Sequence, residues 1–332
     1  MPEVYLQTGQ EHCYDSAGHI IPCTGSGQDG ELRKGLALPV PRFEVQHGEL
    51  VRDFLTGLTW TRSANLAEFP LAWQEALDFI TQMNDQQVFG HDDWRMPNRR
   101  EMRSLLHFET KNPALPLNHP FTDVILNWYW TATTAAINPA YAWYVHMEGA
   151  RMFYGRKDQF YLVWPVRGES TLLPATGRKH CFDSEGNERP CAGSGEDPEG
   201  QTGIAWPEPR FEMKGEMVTD RLTGLRWHRR ADLAGGPVSW PEALKAVSEL
   251  NRSSPHLWRL PNINELESLV DCSRFDPALP TGHPFTGVND VYWSSTTSFF
   301  EPDWAWALYL VKGATGVGVK GSAAFHVWPV TG

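Results

Sequence analysis

What the chain lacks narrows its class first. No stretch of the 332 residues approaches the ~18 uninterrupted apolar residues that a membrane-crossing helix requires. Positive charge is in deficit, with Lys+Arg 29 against Asp+Glu 40 and a net charge of −11. That balance argues against a nucleic-acid or anionic-membrane partner. Met1–Gln10 has neither a basic start nor an apolar core, so no signal peptide is read in it. Low-complexity disorder is excluded as well, because 41% hydrophobic and 21% charged residues are ordinary globular values. What stands out instead is 15 Trp, 29 Gly and 25 Pro. Such a profile predicts a loop-rich fold with aromatic anchors rather than a helical bundle.

The chain is one module written twice. His12-Cys13-Tyr14-Asp15-Ser16 recurs as His180-Cys181-Phe182-Asp183-Ser184, and Leu55-Thr56-Gly57-Leu58 before Trp60 recurs as Leu222-Thr223-Gly224-Leu225 before Trp227. Trp94-Arg95-Met96-Pro97-Asn98 returns as Trp258-Arg259-Leu260-Pro261-Asn262, and each copy closes on Trp-Pro-Val, at Trp164 and Trp328. The period is far longer than a solenoid repeat, so each copy is expected to be a whole domain. Residues 1–168 and 169–332 are the two expected domains, joined through the polar, Pro-containing stretch Glu169–Thr176. Their net charges are −5 and −6, so neither is a basic arm.

Within a copy, two cysteines stand ten apart, Cys13/Cys23 and Cys181/Cys191, around the turn formers Asp15–Gly18 and Asp183–Gly186. A disulfide-closed hairpin is favoured over a zinc site or a redox dithiol, which use tighter spacing and, for zinc, a second ligand pair. A structural disulfide implies an oxidising compartment, hence export. Cys272 is left over, opposite His107. Ser239-Trp240-Pro241-Glu242 is a capping box that opens a helix through Leu250, and Trp73–Met83 is its counterpart. Asn98 with Glu101, and Asn262 with Glu265, cap a second helix whose Met102, Leu105 and Leu106, or Leu266, Leu269 and Val270, face the core. Tyr129–Thr134, Tyr292–Thr297, Ala142–Met147 and Ala305–Leu310 then read as strands. The fold class is therefore α+β, with two helices, antiparallel strands and long irregular loops in each copy. Trp94, Trp258, Trp130 and Trp293 repeat in register and are assigned to the cores.

Taken in order, Cys-x9-Cys, L-T-G-L-x-W, W-R-[LM]-P-N-x-x-E, Y-W-[ST]-[SA]-T-T, A-W and V-W-P-V resemble the DUF1566 domain, found at the C-terminus of the Legionella collagen-like adhesin. The resemblance spans nearly all of both copies. It implies two tandem C-type-lectin-like domains, an exported bacterial surface protein, and glycan or glycosaminoglycan binding as in the adhesin. This chain has no Gly-X-Y run, and its copies are acidic. Attraction to a sulfated glycan would fall to local clusters, Arg95, Arg99, Arg100 and Arg103, or Arg151, Arg156 and Lys157, which otherwise read as a solvated helix face.

No catalytic constellation emerges. Gly25–Gly30 and Gly316–Gly321 fit G-x-G-x-x-G but lack the strand–turn–helix context that a dinucleotide site requires. No metal site is expected and no cofactor is needed. Calcium is the one open possibility, through Glu301-Pro302-Asp303-Trp304 and Asn289-Asp290 in copy 2. His119 and His283, each in His-Pro-Phe-Thr, read as structural. Ligand contact is expected from the loops beside the strands. The candidates are Asn127, Trp128, Asn138 and Tyr141 in copy 1, and Asn289, Asp290, Phe299, Phe300, Glu301, Asp303 and Trp304 in copy 2. Large rings in a loop stack on sugars, anchor a protein partner, or cover the domain's own core or the other copy. The expectation is an exported, non-enzymatic protein that binds a glycan or surface polymer. The alternative is a structural subunit of a surface appendage, or a receptor-binding protein with protein partners.

Overall fold

A computed structural model describes residues 4–332. Met1–Glu3, at the head of the stretch that bears on a leader, lie outside the described residues. The chain forms two compact units that do not coincide with the two sequence repeats, 1–168 and 169–332. One unit comprises Leu38–Leu106 and Thr110–Ala205. The other comprises Met1–Ala37, His107–Glu109 and Trp206–Gly332. Each repeat thus divides into a hairpin segment and a body, and each unit combines one repeat's body with the other repeat's hairpin. The first is called the central unit here, the second the terminal unit.

In the central unit, strands Phe43–Gln46, Leu50–Asp53, Thr59–Thr61 and Val166–Arg167 form an antiparallel four-stranded sheet. A second antiparallel set pairs Trp128–Thr134 with Tyr141–His146, and the latter with Met152–Arg156. Between these sets run the helices Trp73–Asp85 and Arg99–Ser104. The terminal unit repeats the plan. Its four-stranded sheet is Phe211–Lys214, Met217–Asp220, Arg226–His228 and Val330–Thr331. Its helices are Trp240–Leu250 and Ile263–Ser268, and its second set is Val291–Thr297, Trp304–Tyr309 and Ala314–Val319.

The caps read from the sequence are present. Asn98 Oδ1 accepts from the amides of Arg100 and Glu101, while the Glu101 carboxylate accepts from the Asn98 amide at 2.8 Å. Asn262 and Glu265 make the same reciprocal pair, at 2.9 and 2.8 Å. Orphan amides of a six-residue helix are satisfied in this way, which lets so short an element persist. At the longer helix, the Glu242 carboxylate accepts from both the amide and the hydroxyl of Ser239.

Tryptophan builds the cores. Trp73, Trp94 and Trp130 are buried with Leu77, Ile80, Met96 and Val163 in the central unit. Trp240, Trp258 and Trp293 are buried with Val247, Leu260 and Val327 in the terminal unit. Trp60 meets Trp164, and Trp227 meets Trp328, with ring centroids 5.7 and 5.5 Å apart. An ion pair is buried in each unit. Arg42 grips Asp53 through Nε and Nη2 at 3.0 and 2.9 Å and donates to the Ser104 carbonyl at 2.7 Å. Arg210 does the same with Asp220 and Ser268. Such a bidentate pair ties the sheet to the end of the second helix, and removing one partner would leave an uncompensated buried charge.

Both cysteine pairs are disulfides, Cys13–Cys23 and Cys181–Cys191, and Cys272, the fifth cysteine, is buried outside these two bridges. Each closes a two-stranded hairpin, Cys13–Tyr14 with Ile20–Ile21 and Cys181–Phe182 with Glu188–Arg189. A one-turn helix follows each, Asp29–Leu32 and Asp197–Gly200. The glycine-rich loop before that turn is spent internally. The amides of Gly25 and Gly27 donate to Glu31, and those of Gly193 and Gly195 to Glu199. A nest of backbone donors that already holds its own carboxylate is not free for a phosphate.

Candidate functional site

The loops expected to meet a ligand lie where the hairpins seat. In the terminal unit, Gly18 at the turn of the first hairpin packs against Pro302 and Asp303, so closely that a Cβ there would sit 3.0 Å from the Asp303 amide nitrogen. In the central unit, Gly186 of the second hairpin packs on Pro139 and Ala140, where a Cβ would stand 2.9 Å from the Ala140 nitrogen. Both glycines hold φ near +85°, at +84° and +88°. Conformation and space therefore both demand glycine at these turns.

Each hairpin is anchored by a matching set of groups. Asp29 Oδ2 accepts from the hydroxyls of Thr8 at 2.7 Å and Thr296 at 2.6 Å. Asp197 Oδ2 accepts from Thr176 at 2.7 Å and Thr133 at 2.8 Å. Each strand threonine also accepts from the first amide of the short helix, Ile263 on Thr296 and Arg99 on Thr133. The helix-capping asparagines reach the hairpin segment too. Asn262 Nδ2 donates to the Lys34 carbonyl at 2.9 Å, and Asn98 Nδ2 to the Thr202 hydroxyl at 3.0 Å. A buried lysine completes each seat. Lys320 Nζ donates to the carbonyls of Tyr14 and Asp15, and Lys157 Nζ to those of Phe182 and Asp183. Both ammonium groups lie over an indole, Lys320 at 4.3 Å from Trp240 and Lys157 at 3.9 Å from Trp73.

Burial sets the titration of these anchors. It pushes both lysines down to about 7, against the partial support of nearby carboxylates. It raises Asp29 to about 6, although two hydroxyls favour the ionised form, and Asp197 is raised for the same reason. Burial also holds His119 and His283 below the usual histidine range, each packed on the ring of the next Phe, 5.8 Å away at Phe121 and Phe285.

The sequence-derived candidates scatter into different roles. Asn138 Oδ1 accepts from the Ala140 amide, and Tyr141 lies at a strand start with its ring 6.1 Å from Tyr154. The Asn289 backbone amide donates to the Tyr292 hydroxyl oxygen, and its Nδ2 donates to the Gly287 carbonyl. Asp290 Oδ1 accepts from the Val311 amide. Phe299, Phe300, Glu301, Asp303 and Trp304 are all partly buried. Glu301 closes a turn through Ser298 and Trp304, and the Asp303 carbonyl accepts from the Lys320 amide. Among the described residues no three or more His, Cys, Asp or Glu converge as a metal site.

The first arginine cluster is not a surface patch, and of the second only Arg151 and Arg156 are exposed. Arg99, Arg100 and Arg103 are buried, Arg99 completely and with its guanidinium 4.1 Å from the Trp143 ring centroid. Arg95 is clamped bidentately on Glu101, Lys157 holds a hairpin, and exposed Arg156 pairs with Asp158. Sequence spacing alone reads such a run as solvated; burial against rings and carboxylates is what changes it.

Asn127 and Trp128 remain at an accessible face. Asn127 is exposed, and its Oδ1 accepts from the Trp128 amide at 2.7 Å. Trp128 is partly exposed, with ring centroids 4.5 Å from Tyr144 and 4.6 Å from His146. Tyr144 continues to Tyr161 and Trp130, at 4.7 and 5.6 Å. Ile125 and Leu126, 40% and 42% exposed, precede it. Burial lowers the His146 pKa, which favours the neutral ring. A tryptophan edge beside a neutral imidazole and an exposed carboxamide can stack on an apolar ring face and hydrogen-bond its rim. The equivalent strand pair in the terminal unit sets Val291 opposite Tyr309 and Trp293 opposite Ala307.

The Lcl C-terminal domain family matches residues 49–167 and 216–331. The chain belongs to this family. Its two Lcl C-terminal domains are the two bodies, and both disulfide hairpins lie outside the matched segments. No curated protein matches the chain. Among the described residues no helix is long and apolar enough to cross a membrane. The seats on the Lcl C-terminal domains were not read from the sequence, although their residues, the paired Thr of Y-W-[ST]-[SA]-T-T and the Asn of W-R-[LM]-P-N, carry the resemblance. Their signal was present as repeated polar residues at positions that the strand and helix patterns bury.

Proposed function

We propose that this protein is an exported, non-enzymatic binding protein that recognises a glycan or surface polymer, and that each body carries a C-type-lectin-like arrangement. The observation that carries this reading is the Trp128–Tyr144–His146 face with Asn127 at its edge. It presents a partly exposed indole, held by a tilted phenol and a near-perpendicular imidazole, with a carboxamide at its rim, and such an aromatic contact suits the apolar face of a sugar. Family membership supports a surface role, and two disulfides suit an oxidising compartment. The hairpins seated on Pro139–Ala140 and Pro302–Asp303 move the expected contact from those loops to the strand edge at Trp128.

A glycan array on the purified, disulfide-intact protein, with and without calcium, tests the reading. Saturable binding is expected, weakened at least about tenfold by Trp128→Ala, as for a central aromatic contact, and unchanged by Val291→Ala. A blank array overturns glycan recognition. Binding that needs calcium and fails in Asp303→Asn would return the site to copy 2.

A further inference from the structure

The two hairpins reach matching seats along different covalent routes. The second hairpin follows its seat in the chain, Gly168 leading through Glu169–Thr176 to Cys181. The first precedes its seat, with the whole first body between Cys23 and Trp206. Yet the anchors correspond one for one: Asp29 and Asp197 on Thr296 and Thr133, Lys320 and Lys157 on hairpin carbonyls, Asn262 and Asn98 on the hairpin segment, Gly18 and Gly186 against a loop. What the seat recognises is therefore the hairpin itself, not the direction from which the chain delivers it.

We propose that the seat on the second body also accepts the first hairpin of a second copy of this chain, so that two molecules join by exchanging hairpins. Exchange conserves the number of seated hairpins, so the contact energy of the joined and separate forms is the same and concentration decides between them. The occupant is another copy because the seat's requirements, a buried aspartate, a turn glycine and carbonyls at positions 14 and 15 that a lysine can reach, are met by this chain's own hairpin. This inference is independent of glycan recognition.

A disulfide trap in the full chain tests it. A Cβ on Gly27 would lie 3.7 Å from Leu244 Cδ2, so a cysteine at each position reports a seated hairpin. Gly27→Cys is placed on one tagged chain and Leu244→Cys on another. The two are mixed at the denaturant midpoint, returned to buffer and oxidised. A covalent heterodimer linked between positions 27 and 244 is expected, with a dimer-to-monomer ratio that falls about tenfold on tenfold dilution before oxidation. Both substitutions on one chain should close within the monomer and verify the seat. Val40→Cys, at a residue 97% exposed, mixed with Leu244→Cys gives the yield from chance collision. Closure within one chain with no more trapping between chains than that yield overturns the proposal. Failure to close even within one chain overturns it as well, because the seat itself would be absent.

Discussion

The two units keep one feature and differ in another. Around the hairpins they share a set of anchors: threonine on aspartate, lysine on carbonyl, asparagine on the incoming segment. At the strand edge they part, with Trp128 opposite His146 in the central unit and Val291 opposite Tyr309 in the terminal unit. A buried polar anchor cannot drift alone, because losing one partner strands the other without water. An edge residue in partial contact with solvent carries no such penalty. The comparison therefore separates what the fold demands from what is free to vary at the strand edge.

The largest test of this symmetry is in the cores. Trp130→Ala and Trp293→Ala remove equivalent, fully buried indoles, and each is expected to cost about 3–5 kcal/mol in urea unfolding. A gap between them wider than about 2 kcal/mol would break the equivalence. Next come the disulfides. Replacing Cys13 and Cys23 by Ser, or Cys181 and Cys191 by Ser, should each cost about 2–3 kcal/mol for a loop of this length, read as a fall in thermal midpoint. Equal losses would sharpen the view that the two hairpins are interchangeable.

The seats also respond to pH, and alike. Lys157 and Lys320 titrate at about 7 in the folded chain and at the ordinary 10.5 once released. Between these values the unfolded chain holds more protons, so stability rises from pH 7 towards pH 10. Asp29 acts at lower pH. Its folded value of about 6 exceeds the ordinary 3.8, so stability falls as pH rises from about 4 to 6. Denaturant midpoints against pH should show this minimum near pH 6–7, and Lys320→Met should flatten its alkaline limb. An unaltered limb would mean that the lysine does not hold the hairpin as described. Smallest for the fold is Trp128→Ala, about 1 kcal/mol for a partly exposed side chain, with its main effect reserved for binding.

Much of each body was legible in the sequence because its signals are local. Asn98 and Asn262 sit three residues before a glutamate and cap the helices that this spacing predicts. The repeated tryptophans lie in the cores, and the ten-residue cysteine spacing closes two hairpins. What could not be read is where each hairpin goes. The aspartate, threonine, lysine and asparagine anchors recur at both seats, so they do not by themselves tell residues 4–37 which body to join. Arg99, Arg100 and Arg103 failed for a related reason, as a charged helix face looks solvated until a long-range partner covers it. At the candidate site, Asn127 and Trp128 were candidates from their place beside a strand, and the structure leaves the first exposed and the second partly exposed. His146 was not, because only the register Trp128–His146 brings it there.

The placement of the first hairpin carries a consequence in time. A chain made from its N-terminus completes the second hairpin's seat before that hairpin emerges, so the central unit can close as synthesis proceeds. Residues 4–37 emerge first, yet their seat is finished only with the strand Val330–Thr331. Throughout that interval the growing chain carries a hairpin whose own seat is not yet made. Which molecule a hairpin finally joins is then a matter of arrival order, and crowding during synthesis would leave its mark on the mature assembly.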